Sequence, residues 1–151
     1  MQSLLFNLTS MMGRLFIGTI FLSSAIGNKI PDFSNVATYM GSKGVPLPSL
    51  MLVGAIVFLV IGSVSIIVGY KTRVGATLLL VFLILATYFF HNFWDLQDEA
   101  RQMEMIHFMK NLSMAGAMLF LIGNGGGRWS VDGCGTAAGG CGSSGKASAS
   151  A

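Results

Sequence analysis

The residues able to do chemistry gather in one stretch. HNFWDLQDEARQMEMIHFMKN, from His91 to Asn111, holds both histidines of the chain and four of its six acids, together with Asn92, Lys110 and Asn111. An unperturbed imidazole changes charge near physiological pH, so a histidine such as His91 could donate or relay a proton. Asn92, Asn111 and Lys110 can hold polar oxygens. His107, Lys110, Asn111 and Met114 follow the i, i+3, i+4, i+7 spacing of one helix stripe. Ionisable groups in membrane segments usually face the bundle or a water-filled cavity. The simpler alternative is that His107 and Lys110 sit at the interface and extend into water. The two histidines invite an axial iron site. No carboxylate or thiol partner has metal-site spacing, so no metal is expected.

The segments that carry these residues are greasy. The chain has 151 residues, 53% apolar and 10% charged, with a mean hydropathy of +0.70; a soluble domain carries about 25% charged residues. Four apolar blocks, about 11–27, 49–69, 74–90 and 106–122, can each cross a hydrocarbon core about 30 Å thick. Backbone groups in lipid must be satisfied within the segment, so the blocks are helices. The expected fold class is all-α. It is an integral-membrane four-helix bundle over residues 1–128, followed by a flexible Gly/Ser/Ala-rich tail over 129–151. Arg14 followed by an apolar run and Ser23, Ser24 and Ala25 resembles a signal peptide. A retained first helix is expected instead, because it completes an even bundle. The 20 residues Lys29–Pro48 read as a loop, GYKTR (Gly69–Arg73) as a tight turn, and His91–Met105 as a polar loop or frayed helix end. The net charge of +3 is small and scattered, so no nucleic-acid partner is expected.

An alternating path places the end of the first helix, the end of the third and the start of the fourth on one face. Asn28, Lys29, His91, Asn92, His107, Lys110 and Asn111 then share one small volume, assigned to the outer side. Within reach of the spans, Arg14, Lys71, Arg73 and Arg128 stand on one side and Lys29, Lys43, Arg101 and Lys110 on the other. The dense charge of the short turn favours both termini in the cytoplasm of a bacterial inner membrane. Arg14 lies about 22 Å along the helix from Lys29, so it belongs to the inner surface, as a topology determinant and phosphate contact. Gly54, Gly62, Ser65 and Gly69 form a small-residue stripe suited to close helix packing, within the bundle or against another subunit. Trp94 and Trp129 read as interfacial anchors. Cys134 and Cys141 lie in the tail and should be reduced there. The polar cluster has no cysteine, which argues against thiol exchange at that site.

GRLFIGTIFLSSAIGNKI, YMGSKGVPLP, GYKTRVGA, HNFW, QMEMIHFMKNLSMAGAML and GRWSVD occur in this order. With them the chain resembles the DoxX family of small four-helix membrane proteins over most of residues 12–132. The family is named for similarity to the membrane subunit of a thiosulfate:quinone oxidoreductase. The resemblance implies an accessory subunit of a membrane redox assembly, a quinone as cofactor, and other membrane subunits as partners. It marks Arg14, Lys29, Arg73, His91, Asn92, Lys110 and Asn111. It also exposes a departure. The family often has a glutamate ten residues before the glycine of the turn motif, and here that position is Leu59.

Three functions follow as expectations. The first is a quinone-associated redox subunit. In it His91, Asn92, Lys110, Asn111 and Lys29 contact the headgroup, Tyr88, Phe89, Phe90, Phe93 and Trp94 line the ring, and a partner delivers the electrons. The second is a non-catalytic structural subunit, favoured by Leu59 and the small-residue stripe. The third is a permeation protein for small solutes or lipids, weakened by the lack of paired charges in the spans and of an internal repeat.

Overall fold

The computed structural model describes residues 2–91 and 98–133. The first helix, α1, spans Gln2–Ser24 and continues without a break as a π-helical segment, Ala25–Lys29. There the Ile30 amide donates to the Ala25 carbonyl at 3.0 Å, a bond of five-residue span. Pro31 follows at once and has no amide to carry the helix on. The remaining helices are α2 (Phe33–Ser42), α3 (Pro48–Val68), α4 (Thr72–Phe90) and α5 (Asp98–Asn124). Four of the described helices are long and apolar enough to cross a membrane: Leu4–Lys29, Pro48–Val68, Thr72–Phe90 and Glu99–Asn124.

The structure differs from the sequence expectation at four places. The first helix starts at Gln2 and not near Met11. The expected loop 29–48 contains α2, whose Phe33, Val36, Ala37 and Met40 recur at i, i+3, i+4, i+7 and face the bundle. The helix leading into the last span begins at Asp98, so Asp98–Met105 is helical. Residues 129–133, expected to open the tail, are folded against the bundle. Asn92, Phe93, Trp94, Cys134 and Cys141 lie outside the described residues.

Helix α3 packs on both α1 and α4, and α4 packs on α5, while α1 and α5 do not pack closely on each other. The core runs through this sheaf: Phe21 and Ala25 from α1, Leu59 and Ile66 from α3, Leu79 and Leu83 from α4, and Met118 and Leu121 from α5. Helix α2 closes one end, packing with Leu52 and Phe90; Tyr39 stacks on Phe90 at 5.8 Å. Large apolar side chains such as Phe16, Ile61, Leu85 and Phe120 face outward. Lipid is as apolar as these residues, so helices associate in it by close packing rather than by expulsion of water. The α3–α4 contact shows this. A Cβ on Gly62 would lie 2.7 Å from Leu79 Cγ, and one on Gly75 would lie 2.4 Å from Ser65 Oγ. Gly54, placed by sequence in the same stripe, is exposed with no atom near its missing Cβ, so it is not part of this contact.

Candidate functional site

Helices α4 and α5 run antiparallel and face each other with a ladder of polar side chains. Thr87 lies in the last turn of α4, four residues before its C-cap His91; Glu104, His107 and Asn111 share one stripe of α5. Asn111 Nδ2 donates to Thr87 Oγ1 at 3.0 Å, and the His91 and His107 rings stack at 5.2 Å with an interplanar angle of 18°. One step further, His91 Nδ1 lies 2.7 Å from Glu104 Oε2. His91 and Glu104 are each about a quarter exposed on their side chains (23% and 24%), so the pair is reachable but partly desolvated. A carboxylate at this distance orients the imidazole and fixes which ring nitrogen faces it. The rings meet face to face, which does not aim two nitrogen lone pairs at one iron.

The sequence cluster is thus divided. His91, His107 and Asn111 come together, joined by Thr87 and Glu104. Spacing paired His107 with Asn111 but missed Glu104 and Thr87; the signal for Glu104 was its place three residues before His107 on the same helix. Lys110 is exposed, off this stripe. Lys29 turns back along its own helix: its Nζ lies 2.8 Å from Ser24 Oγ and 5.6 Å over the Phe82 ring. Phe82 precedes His91 by nine residues, or roughly 13 Å of helix, so Lys29 sits deeper than the ladder. Of the aromatic residues expected around a ring, Phe89 and Phe90 pack with α2, while Tyr88 is exposed with its edge toward Phe89.

The opposite end of the bundle holds a second constellation. Arg14, expected at the inner surface, is 2% exposed. Its Nη2 donates to the Trp129 carbonyl, and its Nη1 lies against Gly69, where a Cβ would clash. Asp132 clasps the α3–α4 turn from the other side. Its amide donates to the Gly69 carbonyl at 2.9 Å, and its carboxylate accepts from the Lys71 and Thr72 amides at 2.8 and 2.9 Å and from Thr72 Oγ1 at 3.2 Å. It therefore caps α4 from sixty residues away. Sequence reasoning missed Asp132. The available signal was that five of the six acids lie between or beside the other helix ends, leaving Asp132 alone at this one.

Desolvation raises the pKa of Asp132, but the Thr72 and Lys71 donors and the charge of Arg14 outweigh it, and the carboxyl titrates below the usual range. A carboxyl with a lowered folded pKa stabilises fully above its unfolded value of about 3.9. That stabilisation is lost as pH falls through the lower folded value. Asp132→Asn is expected to remove this acid-side dependence and to cost about 1 kcal/mol at neutral pH, the usual size of an N-cap. Thermal unfolding in detergent between pH 2.5 and 7 measures it; parallel wild-type and variant curves would show that the cap contributes nothing ionic.

A model of the family described as DoxX matches residues 9–92, more than half of the chain. The chain belongs to the DoxX family. It is 36% identical over 104 residues to the inner membrane protein YphA of Escherichia coli (strain K12), covering 69% of this chain and 74% of that protein. It is 30% identical over 122 residues to the inner membrane protein YqjF of the same organism, covering 81% and 88%. A shorter similarity, 30% over 77 residues, joins it to the ER-derived vesicles protein ERV29 of Saccharomyces cerevisiae, of whose length it covers 25%. No solved structure matches the chain. This DoxX chain is therefore an inner-membrane protein with transmembrane helices. The family match includes α1, α3, α4 and His91, while the α5 half of the ladder lies beyond it.

Proposed function

We propose that this DoxX protein is an accessory subunit of a quinone-linked membrane redox assembly, and that its α4–α5 ladder receives the quinone headgroup. The His91–Glu104 pair, stacked on His107, carries this reading. A quinone carbonyl accepts a hydrogen bond in the oxidised form and must gain a proton on reduction. A His–carboxylate pair can supply both. Asn111, held by Thr87, offers a donor one turn deeper. The described residues include no group of three or more His, Cys, Asp or Glu able to hold a metal; the reading takes its electrons from a partner subunit's redox group, which delivers an electron pair to match the pair of protons.

His91→Ala and Asn111→Ala are each expected to weaken quinone binding by about tenfold, the worth of about one good hydrogen bond. The measurement is quinone retained by protein purified in mild detergent from native membranes. Unchanged retention in both variants would sink the reading. A structural subunit without quinone is the second reading. It is favoured by Leu59, which is fully buried among apolar residues where the family pattern often has an acid. Isolation of an intact assembly lacking quinone would select it.

The orientation belongs to the same proposal: both termini cytoplasmic. Among the described residues, Arg14, Lys71, Arg73 and Arg128 converge at one end of the bundle against one acid, Asp132, as the positive-inside rule favours. A C-terminal reporter active only in the periplasm should stay silent.

A further inference from the structure

Between α1 and α5, at the Arg14 end, lies a cavity of about 1230 Å³. It exists because α3 and α4 hold α1 and α5 apart. Its floor is positive. Arg14 is buried there with Nε and Nη1 lacking any hydrogen-bond partner, at a depth where an unbalanced cation is costly. Lys71, Arg73 and Arg128 stand exposed around it. Asp132, the one carboxylate among the described residues of the wall, is already committed to the Lys71 and Thr72 donors. Among the described residues four cations thus face one engaged acid.

The remaining wall is apolar. Phe6 and Ile17 of α1 and Ala117 and Phe120 of α5 line it, and Phe6 and Phe120 are two-thirds exposed at its rim. Both aromatic rims belong to candidate membrane spans, so the cavity faces the acyl region on one side and the cationic loop on the other. The loop comes close because Gly125 and Gly127 adopt left-handed backbone, φ 73° and 76°, and fold the chain back over Ser10 and Thr72. Charge and greasiness in this arrangement fit one kind of molecule, a phosphate-bearing amphiphile.

We propose that the cavity binds an anionic phospholipid from the surrounding leaflet. Arg73, Arg128 and Lys71 contact the phosphate and glycerol oxygens, the Arg14 charge lies beneath them, and the first acyl carbons run between Phe6 and Phe120. The lipid anion adds negative charge beyond that of Asp132 and faces the Arg14 Nε and Nη1 groups that have no hydrogen-bond partner in the protein. It also bridges α1 to α5, which have little direct contact of their own. This site is at the other end of the bundle from the polar ladder, so the proposal stands independently of the quinone reading.

The test uses full-length protein in mild detergent. Phosphatidylglycerol and phosphatidylcholine of identical acyl chains are titrated in, and the bound lipid is read by native mass spectrometry. Wild type is expected to retain phosphatidylglycerol about tenfold better than phosphatidylcholine. The double variant Arg73→Gln/Arg128→Gln is expected to bring the two lipids near parity. Arg101→Gln, an exposed arginine on α5 at the far end, is expected to leave the preference intact. Circular dichroism confirms that each variant is folded, and the choice of exposed arginines avoids disturbing the Arg14 clasp. Equal retention of the two lipids by wild type overturns the proposal, as does an equal loss in Arg101→Gln, which would mean unspecific surface charge. Displacement of phosphatidylglycerol by millimolar inorganic phosphate alone would make this a free-phosphate site and overturn the lipid assignment.

Discussion

Gly69→Val is expected to lower the stability of the bundle in detergent by about 2–6 kcal/mol. Gly69 ends α3 with φ 75°, a conformation a β-branched residue rarely adopts. Its missing Cβ faces Arg14 Nη1 at 2.1 Å and Ser130 Cβ at 2.4 Å, so a side chain must drive the buried guanidinium away from the Trp129 carbonyl. Strain at such a backbone position costs about 1–3 kcal/mol. Overpacking typically adds another 1–3 kcal/mol, roughly. Together these consume much of a stability of about 5–15 kcal/mol. Gly44→Ala is the matched control. Gly44 has φ 78° with nothing near its missing Cβ, so that variant meets only the backbone cost. Thermal unfolding by circular dichroism compares the two. Equal shifts would mean that the Arg14 contact adds nothing to the turn.

Leu59→Glu, which restores the acid often found in the family at this position, is expected to destabilise the protein by upward of about 3 kcal/mol at pH 8, within the range for burying an unpartnered polar group. Leu59 is fully buried in the core that joins α1, α3, α4 and α5. Ser63, one turn along the same helix and also buried, already donates its hydroxyl to the Leu59 carbonyl at 2.5 Å. Unfolding of variant and wild type at pH 8 checks the size. A variant as stable as wild type at pH 8 would show that a polar partner reaches position 59 and that the acid's slot survives in this chain.

The spans were legible because hydropathy is a local property: each apolar block carries its own backbone hydrogen bonds and needs no distant partner to be helical. The polar ladder was half legible. His107 and Asn111 share a stripe on any helix, but their pairing with His91 and Thr87 depends on the register between α4 and α5. Lys29 shows the limit of counting helix ends, since a long side chain followed its own helix back to Ser24. Helix α2 had its signal, the 33, 36, 37, 40 spacing, but it lay among Gly and Pro residues that read as loop.

The sequence by itself determined the solvent, the helix count in lipid and the family resemblance, because composition and local periodicity suffice for these. It also placed Arg14 and Arg73 at the same end as the GYKTR turn. Only the tertiary structure decided what surrounds them. The Arg14–Trp129 and Thr72–Asp132 bonds join residues 115 and 60 positions apart, and they form because a glycine-rich segment after α5 folds back onto the turn. Nothing local requires that return. Left-handed glycines permit it, and the free backbone donors at the α3–α4 turn select it.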